Sequence, residues 1–280
     1  MGSEPAAPRR VSIEPAAAVR PFLDRPLVAF SQSRFDEPLS ILPSPTVTLM
    51  VQTAQPLDGT PRAFIAGPSM GPLTKTWQGA YACVDIKLSP LGAAALFGPI
   101  LGELTGATVD LREVFPGREG EVWIEQLIEA GDGRGRLRCA ERLLLERSRE
   151  PYRPDRRIVE AWSELRRGQD HVRIGGLVRD SGWSHRYFID QFRRHIGLTP
   201  MAAARLLRAS RAMRHLRQNA AVSLAEVAVE CGYADQAHMS REVRQLTGMS
   251  PAQFRRKSPE TAAAHQSAAE ARSAPPVRKL

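Results

Sequence analysis

The stretch Gly182-Trp183-Ser184-His185-Arg186-Tyr187-Phe188-Ile189-Asp190-Gln191-Phe192-Arg193-Arg194-His195-Ile196-Gly197-Leu198-Thr199-Pro200 recurs in altered form later in the chain. The later version reads Gly232-Tyr233-Ala234-Asp235-Gln236-Ala237-His238-Met239-Ser240-Arg241-Glu242-Val243-Arg244-Gln245-Leu246-Thr247-Gly248-Met249-Ser250-Pro251. Each has a glycine followed by an aromatic residue, an apolar-x-x-x-apolar-Arg core, and a closing Gly-apolar-hydroxyl-Pro. The offset is 50 residues at the first glycine and 51 from Phe188/Met239 onward, so the second copy carries one inserted residue.

One copy dictates two helices and a tight turn. Ile174, Leu177 and Val178 stand at i, i+3 and i+4, the spacing of a buried helical face. Gly182 permits a left-handed turn. Phe188, Phe192 and Ile196 then form the buried stripe of a second helix. Gly197 stops it, and Thr199 with Pro200 starts the next. In the second copy Ser223 and Glu226 form a capping box before the stripe Leu224, Val227, Ala228 and Cys231. Gly232 turns the chain, Asp235 caps, and Met239, Val243 and Leu246 point inward. Gly248 and Ser250-Pro251 close the unit. Two helices joined by such a turn make a helix-turn-helix.

On these residues the chain resembles the AraC/XylS family of transcription regulators, over roughly residues 154 to 257. The resemblance lies in the two unequal helix-turn-helix units, the linking helix after Thr199-Pro200, and the closing Gly-x-Ser-Pro-x-x-Phe-Arg at 248 to 255. The family usually has Phe where Met239 and Val243 stand, and commonly a basic residue where Asp190 stands. The first change keeps the core apolar, whereas the second alters the surface offered to DNA.

Charge is unevenly placed. Residues 1–150 hold 16 basic and 18 acidic side chains, residues 151–258 hold 20 and 10, and residues 259–280 hold 3 and 2. A near-neutral half joined to a strongly basic one fits a sensing or assembly domain attached to a polyanion binder. The expected divisions are a disordered arm at 1–20, a sensor or dimerisation domain at 21–150, a DNA-binding domain at 151–258, and a disordered tail at 259–280. Cys83, Cys139 and Cys231 are scattered, so neither a disulfide framework nor a zinc finger is expected. All six histidines lie at or beyond His171, which argues against histidine-bound metal or histidine catalysis in the first half. No cofactor and no enzymatic activity are expected. Residues 1–21 lack the apolar core of a signal peptide, Ala6 stands where a myristoylation site needs Ser or Thr, and no apolar run reaches about 18 residues. The expected location is the cytoplasm.

The fold class expected is α+β. Short runs at 46–51, 63–66 and 80–88, punctuated by Pro and Gly, predict a small β barrel or sandwich. The resemblance implies a cupin-like domain there, followed by helices. Runs at 91–97, 100–104, 121–130 and 137–148 read as helical, with 109–115 connecting. Asp85 alternates with Tyr81 and Cys83 on a predicted strand, and an exposed strand face is favoured over a ligand pocket. Leu137, Leu143 and Leu144 serve either a second copy of the chain or the β domain.

A recognition helix presents its outward, N-terminal residues to the major groove. The outward sets are His185, Arg186, Ile189, Asp190 and Arg193 in the first unit, and Gln236, Ala237, His238, Ser240, Arg241 and Arg244 in the second. The resemblance implies base reading by Arg186, Ile189, Asp190, Gln236, Ala237, Ser240 and Arg241. That leaves His185, Arg193, His238 and Arg244 for phosphates, with His238 equally suited to a base, a phosphate or plain solvent. Asp190 either accepts from a cytosine amino group or holds Arg186 through an i,i+4 pair. The linking helix carries Arg205, Arg208, Arg211, Arg214 and Arg217. They wind around its axis and cannot all face DNA. Its length, about 27 Å, suits reading of two successive major grooves by one chain. The partners expected are double-stranded DNA, with a small-molecule effector, RNA polymerase and a second copy as further candidates. The expected function is a sequence-specific transcription regulator. The alternative is a ligand-binding or enzymatic first half with an accessory DNA-binding half.

Overall fold

A computed structural model describes residues 9–34, 39–54, 61–71, 73–75, 80–168, 173–218 and 221–256. Its N-terminal half is a sheet of six strands in the order β1-β2-β7-β4-β5-β8, every pair antiparallel. These are β1 (Arg9–Ile13), β2 (Leu27–Arg34), β4 (Val47–Gln52), β5 (Ala63–Ala66), β7 (Ala80–Leu88) and β8 (Thr108–Asp110). A separate pair joins β3 (Leu39–Ile41) to β6 (Leu73–Lys75).

Period-two alternation sorts the sheet into two faces. The row Ala29, Val84, Val51 and Ala63 crosses four strands in register. With Leu49, Ile65 and Ile86 it forms the main N-terminal core. Helices cover that face: α1 (Pro90–Phe97), α2 (Leu101–Leu104), α3 (Leu111–Val114), α4 (Glu119–Glu129) and α5 (Gly133–Arg147). Leu137, Leu143 and Leu144 of α5 are fully buried in this core, so they serve the β domain.

Three expectations need correction here. The sheet is open and not a closed barrel, because β1 and β8 end it on opposite edges. Apolar cover comes from helices on one face, which removes the need for the edges to meet. Part of the arm expected to be disordered is β1, whose Val11 and Ile13 alternate with Ser12 and pack against the core. Residues 1–8 and the tail expected at 259–280 lie outside the described residues. Third, Asp85 is buried, on a strand that sits in the middle of the sheet. Its neighbour Lys87 is buried too, 3.3 Å from the Asp85 carboxylate, and donates to Thr48 Oγ1 at 2.8 Å. Burial drives the Lys87 pKa down to about 8 against the pull of Asp85.

The C-terminal half is all helix: α6 (Arg156–Arg167), α7 (Ile174–Ser181), α8 (His185–Ile196), α9 (Pro200–Gln218), α10 (Leu224–Glu230), α11 (Gln236–Thr247) and α12 (Pro251–Arg256). Helix α9 is the axle. Ala203, Leu206 and Ala209 pack into a core with α6, α7 and α8. One turn on, Ala212, Met213 and Leu216 pack into a second core with α10, α11 and α12. Each unit has its own core, and α9 fixes one relative to the other.

Candidate nucleic-acid interface

Local chemistry sets both recognition helices. Gly182 and Gly197 take the left-handed conformation at φ 67° and 82°, ending α7 and α8. Ser184 caps α8 by accepting from the Tyr187 N–H, and Asp235 caps α11 by accepting from the His238 N–H at 2.6 Å. The capping box of α10 is complete, and the Ser223 N–H holds the Glu226 carboxyl below its usual pKa range.

Behind α8 lies an apolar wall. Phe188, Phe192 and Ile196 are fully buried, and Trp162 of α6 packs on Phe192 with ring centroids 6.4 Å apart. Helix α6 did not emerge from the repeat, although Ile158, Ala161, Trp162 and Leu165 show the i, i+3, i+4, i+7 signal clearly. In front, His185, Arg186, Tyr187, Asp190 and Arg193 are exposed, while Ile189 is half-buried against the core. Tyr187, 49 % exposed, is an aromatic at the leading end of α8 that the outward set omitted. It stacks edge-on to Trp183 at 5.0 Å, and Arg157 lies over the Trp183 ring. Asp190 pairs with neither Arg186 nor Arg194; the Arg194 Nε instead donates to the Pro99 carbonyl at 3.3 Å. The i,i+4 clamp on Arg186 is thus absent from the free protein.

On α11, Gln236, Ala237, Arg241 and Arg244 are exposed and Ser240 is half-buried. Ser240, Arg241, Arg244 and Gln245 line one shallow hollow. His238 turns its ring onto Tyr233, edge-on at 5.2 Å, and its Nε2 lies 4.0 Å from Glu242.

Glu242 is the residue the outward sets passed over. It is 4 % exposed on α11 and gathers four partners. Arg205 Nε donates to its Oε2 at 3.2 Å, Arg208 Nη2 donates at 3.0 Å, and the Tyr233 hydroxyl donates to Oε1 at 3.0 Å. The Arg208 guanidinium also lies 4.7 Å from the Tyr233 ring centre. Burial and Glu242 together push the Tyr233 phenol pKa upward. Two arginines of the linking helix therefore hold the second recognition helix. A third, Arg211, donates to the Gly168 carbonyl at 2.6 Å, and Arg217 stacks on Phe254 at 4.4 Å. Of the five, only Arg214 is exposed, and the other four are half-buried.

The first recognition helix is also seated on the N-terminal half. Thr105 Oγ1 donates to the Gly197 carbonyl, and Tyr152 Oη lies 3.0 Å from His195 Nε2. His195 Nδ1 faces the Gln191 carbonyl at 2.8 Å, and since a carbonyl only accepts, Nδ1 donates there and leaves Nε2 to the Tyr152 hydroxyl. Gly102 and Gly197 permit the approach; a Cβ on Gly197 lands 2.7 Å from Pro68 Cγ.

Among the described residues no group of three or more His, Cys, Asp or Glu side chains is placed to hold a metal ion, and no helix is long and apolar enough to cross a membrane. Residues 177–257 match a family profile described as a helix-turn-helix domain. No curated protein matches the chain. Among solved structures, the C-terminal domain of AraT, a response regulator from Geobacillus stearothermophilus, is 20 % identical over 38 % of this chain and 88 % of that one, with a TM-score of 0.35. ToxT from Vibrio cholerae is 9 % identical over 89 % of this chain and 97 % of that one, with a TM-score of 0.40. The profile match falls on the two repeated units and the linking helix between them. Residues 177–257, which hold the repeated units and the linking helix, thus form a helix-turn-helix domain.

Proposed function

We propose that the chain reads a specific DNA sequence through α8 and α11 placed in two successive major grooves, and that the N-terminal half governs this reading. The observation that carries the proposal is the shared linking helix. It buries the back of each unit in its own core and leaves both recognition helices with exposed polar residues. At about 1.5 Å per residue, α9 is about 28 Å long, which with part of a helix diameter approaches the ~34 Å of one DNA turn.

In this reading Arg186 and Arg241 contact guanine, Gln236 contacts adenine, and Ile189, Ala237 and Ser240 supply apolar and hydroxyl contacts. Asp190 accepts from a cytosine amino group, since it is exposed and unpaired to Arg186. His185, Arg193 and Arg244 meet phosphates. His238, held by Tyr233, supports α11 and takes no phosphate. The N-terminal half acts by sensing a small molecule, by pairing with a second copy, or by both. Its hold on the C-terminal end of α8 gives any change in the β domain a direct route to DNA affinity.

The test is selection of the full chain on random duplexes. Two enriched half-sites about 10 base pairs apart, with affinity falling steeply as salt rises, support the proposal. Binding without sequence enrichment refutes it.

A further inference from the structure

The β domain and the linking helix enclose a cleft of about 580 Å³ that the reading of DNA does not use. Its walls carry Arg25 from the β domain, Arg166 from α6, and Arg211, Arg214 and Arg217 from α9. One acid joins them, Asp24, and its carboxylate already accepts from Thr46 Oγ1 at 2.9 Å. None of the five arginines forms an ion pair with an acid among the described residues. The Nε atoms of Arg211 and Arg217 are buried and have no hydrogen-bond partner among the described residues. Positive charges gathered in a partly desolvated cleft repel one another unless an anion enters.

We infer that this cleft binds a small organic oxyanion, a phosphate ester or a polycarboxylate. Guanidinium forks match the paired oxygens of both groups. Leu42, Leu207 and Met213 supply apolar wall for the carbon skeleton. A volume of this size suits a metabolite. Because one wall is the β domain and the other is α9, an occupant bridges the two halves and stabilises the arrangement in which α9 is clamped. That consequence for DNA rests on the reading proposed above. The binding itself does not.

The experiment is calorimetric titration of the full chain, free of DNA, with sodium pyrophosphate and separately with citrate, against chloride at matched ionic strength. Single-site binding of at least one probe is expected. Arg25→Gln and Arg214→Gln should each weaken it about tenfold or more, since each removes a charged donor from the oxyanion. Arg138→Gln, exposed on α5, removes equal charge elsewhere and should leave the affinity unchanged. Tighter pyrophosphate than citrate assigns a phosphate ester, and the reverse a polycarboxylate. The inference is overturned if neither probe binds above chloride, or if the Arg138→Gln variant weakens binding as much as the cleft variants. It is equally overturned if the cleft variants lose duplex affinity while anion binding is nil, which gives the arginines to DNA phosphate. Loss of sequence-selective DNA binding by the unmodified chain, with anion binding intact, removes the proposed function and leaves the site standing.

Discussion

Glu242→Ala should separate the second recognition helix from its support. The side chain is 4 % exposed and accepts from Arg205, Arg208 and Tyr233. Removing one partner of a fully buried ion pair costs about 3–5 kcal/mol. Here Arg205 is 40 % and Arg208 26 % exposed, so both can partly rehydrate once the carboxylate is gone. Tyr233 cannot, because it is only 5 % exposed. The expected loss is therefore about 2–3 kcal/mol, below the fully buried range. Glu242→Gln keeps the shape and one acceptor oxygen and should lose about half as much. Urea unfolding followed by far-ultraviolet circular dichroism measures the change. Selection on random duplexes measures the consequence: the half-site read by α11 should blur while the half-site read by α8 stays sharp. The exposed pair Arg156–Glu160, 90 % and 59 % exposed, is the control, and Glu160→Ala should cost under about 0.5 kcal/mol. Equal small losses for Glu242→Ala and Glu160→Ala, with both half-sites unchanged, would refute the reasoning.

Four further outcomes are expected. Arg186→Ala and Arg241→Ala should each cost about 1–3 kcal/mol and relax one base position, whereas Arg244→Ala should weaken all duplexes alike; selection profiles distinguish them. Asp190→Ala should leave the unfolding midpoint unchanged, tighten nonspecific binding and erase a cytosine preference; a blurred Arg186 position with cytosine retained would contradict the direct contact. Lys87 binds its proton less readily in the fold, where its pKa is about 8, than in the unfolded chain near 10.5. Between those values the unfolded state holds more protons, so stability should rise with pH across that window by up to about 3 kcal/mol. The rise should vanish in Lys87→Met, and only Lys75, Lys257 and Lys279 remain as other lysines to follow. Gly197→Ala must place a Cβ at φ 82° and 2.7 Å from Pro68, so it should loosen the seat of α8 on the β domain and speed amide exchange across residues 99–105.

The helix-turn-helix units were legible because their punctuation is chemical. Glycines at 182, 197 and 248 all take positive φ, and Ser223 and Asp235 both cap as their spacing implied. Glu242 was hidden by its residue type. It stands at i+3 from Met239 and one residue before Val243, inside the apolar stripe, where a carboxylate is read as surface unless its arginine partners 37 and 34 residues earlier are considered. The arginines of α9 showed only that they could not share a face; which ones turn inward depends on tertiary contacts. Strand positions at 47–52, 63–66 and 80–88 followed from alternation, but sheet closure did not, because short strands carry no record of their edge partners. Asp85 was misplaced for the same reason. Its burial comes from the central position of β7, which depends on strand order.

The most direct test is a hydroxyl-radical footprint of the full chain on the duplex it selects. Protection of two patches on one face of the helix, about 10 base pairs apart, with loss of one patch in Arg186→Ala and of the other in Arg241→Ala, is the result predicted. A single protected patch, or two patches that both fade equally in each variant, would contradict placement of α8 and α11 in successive grooves.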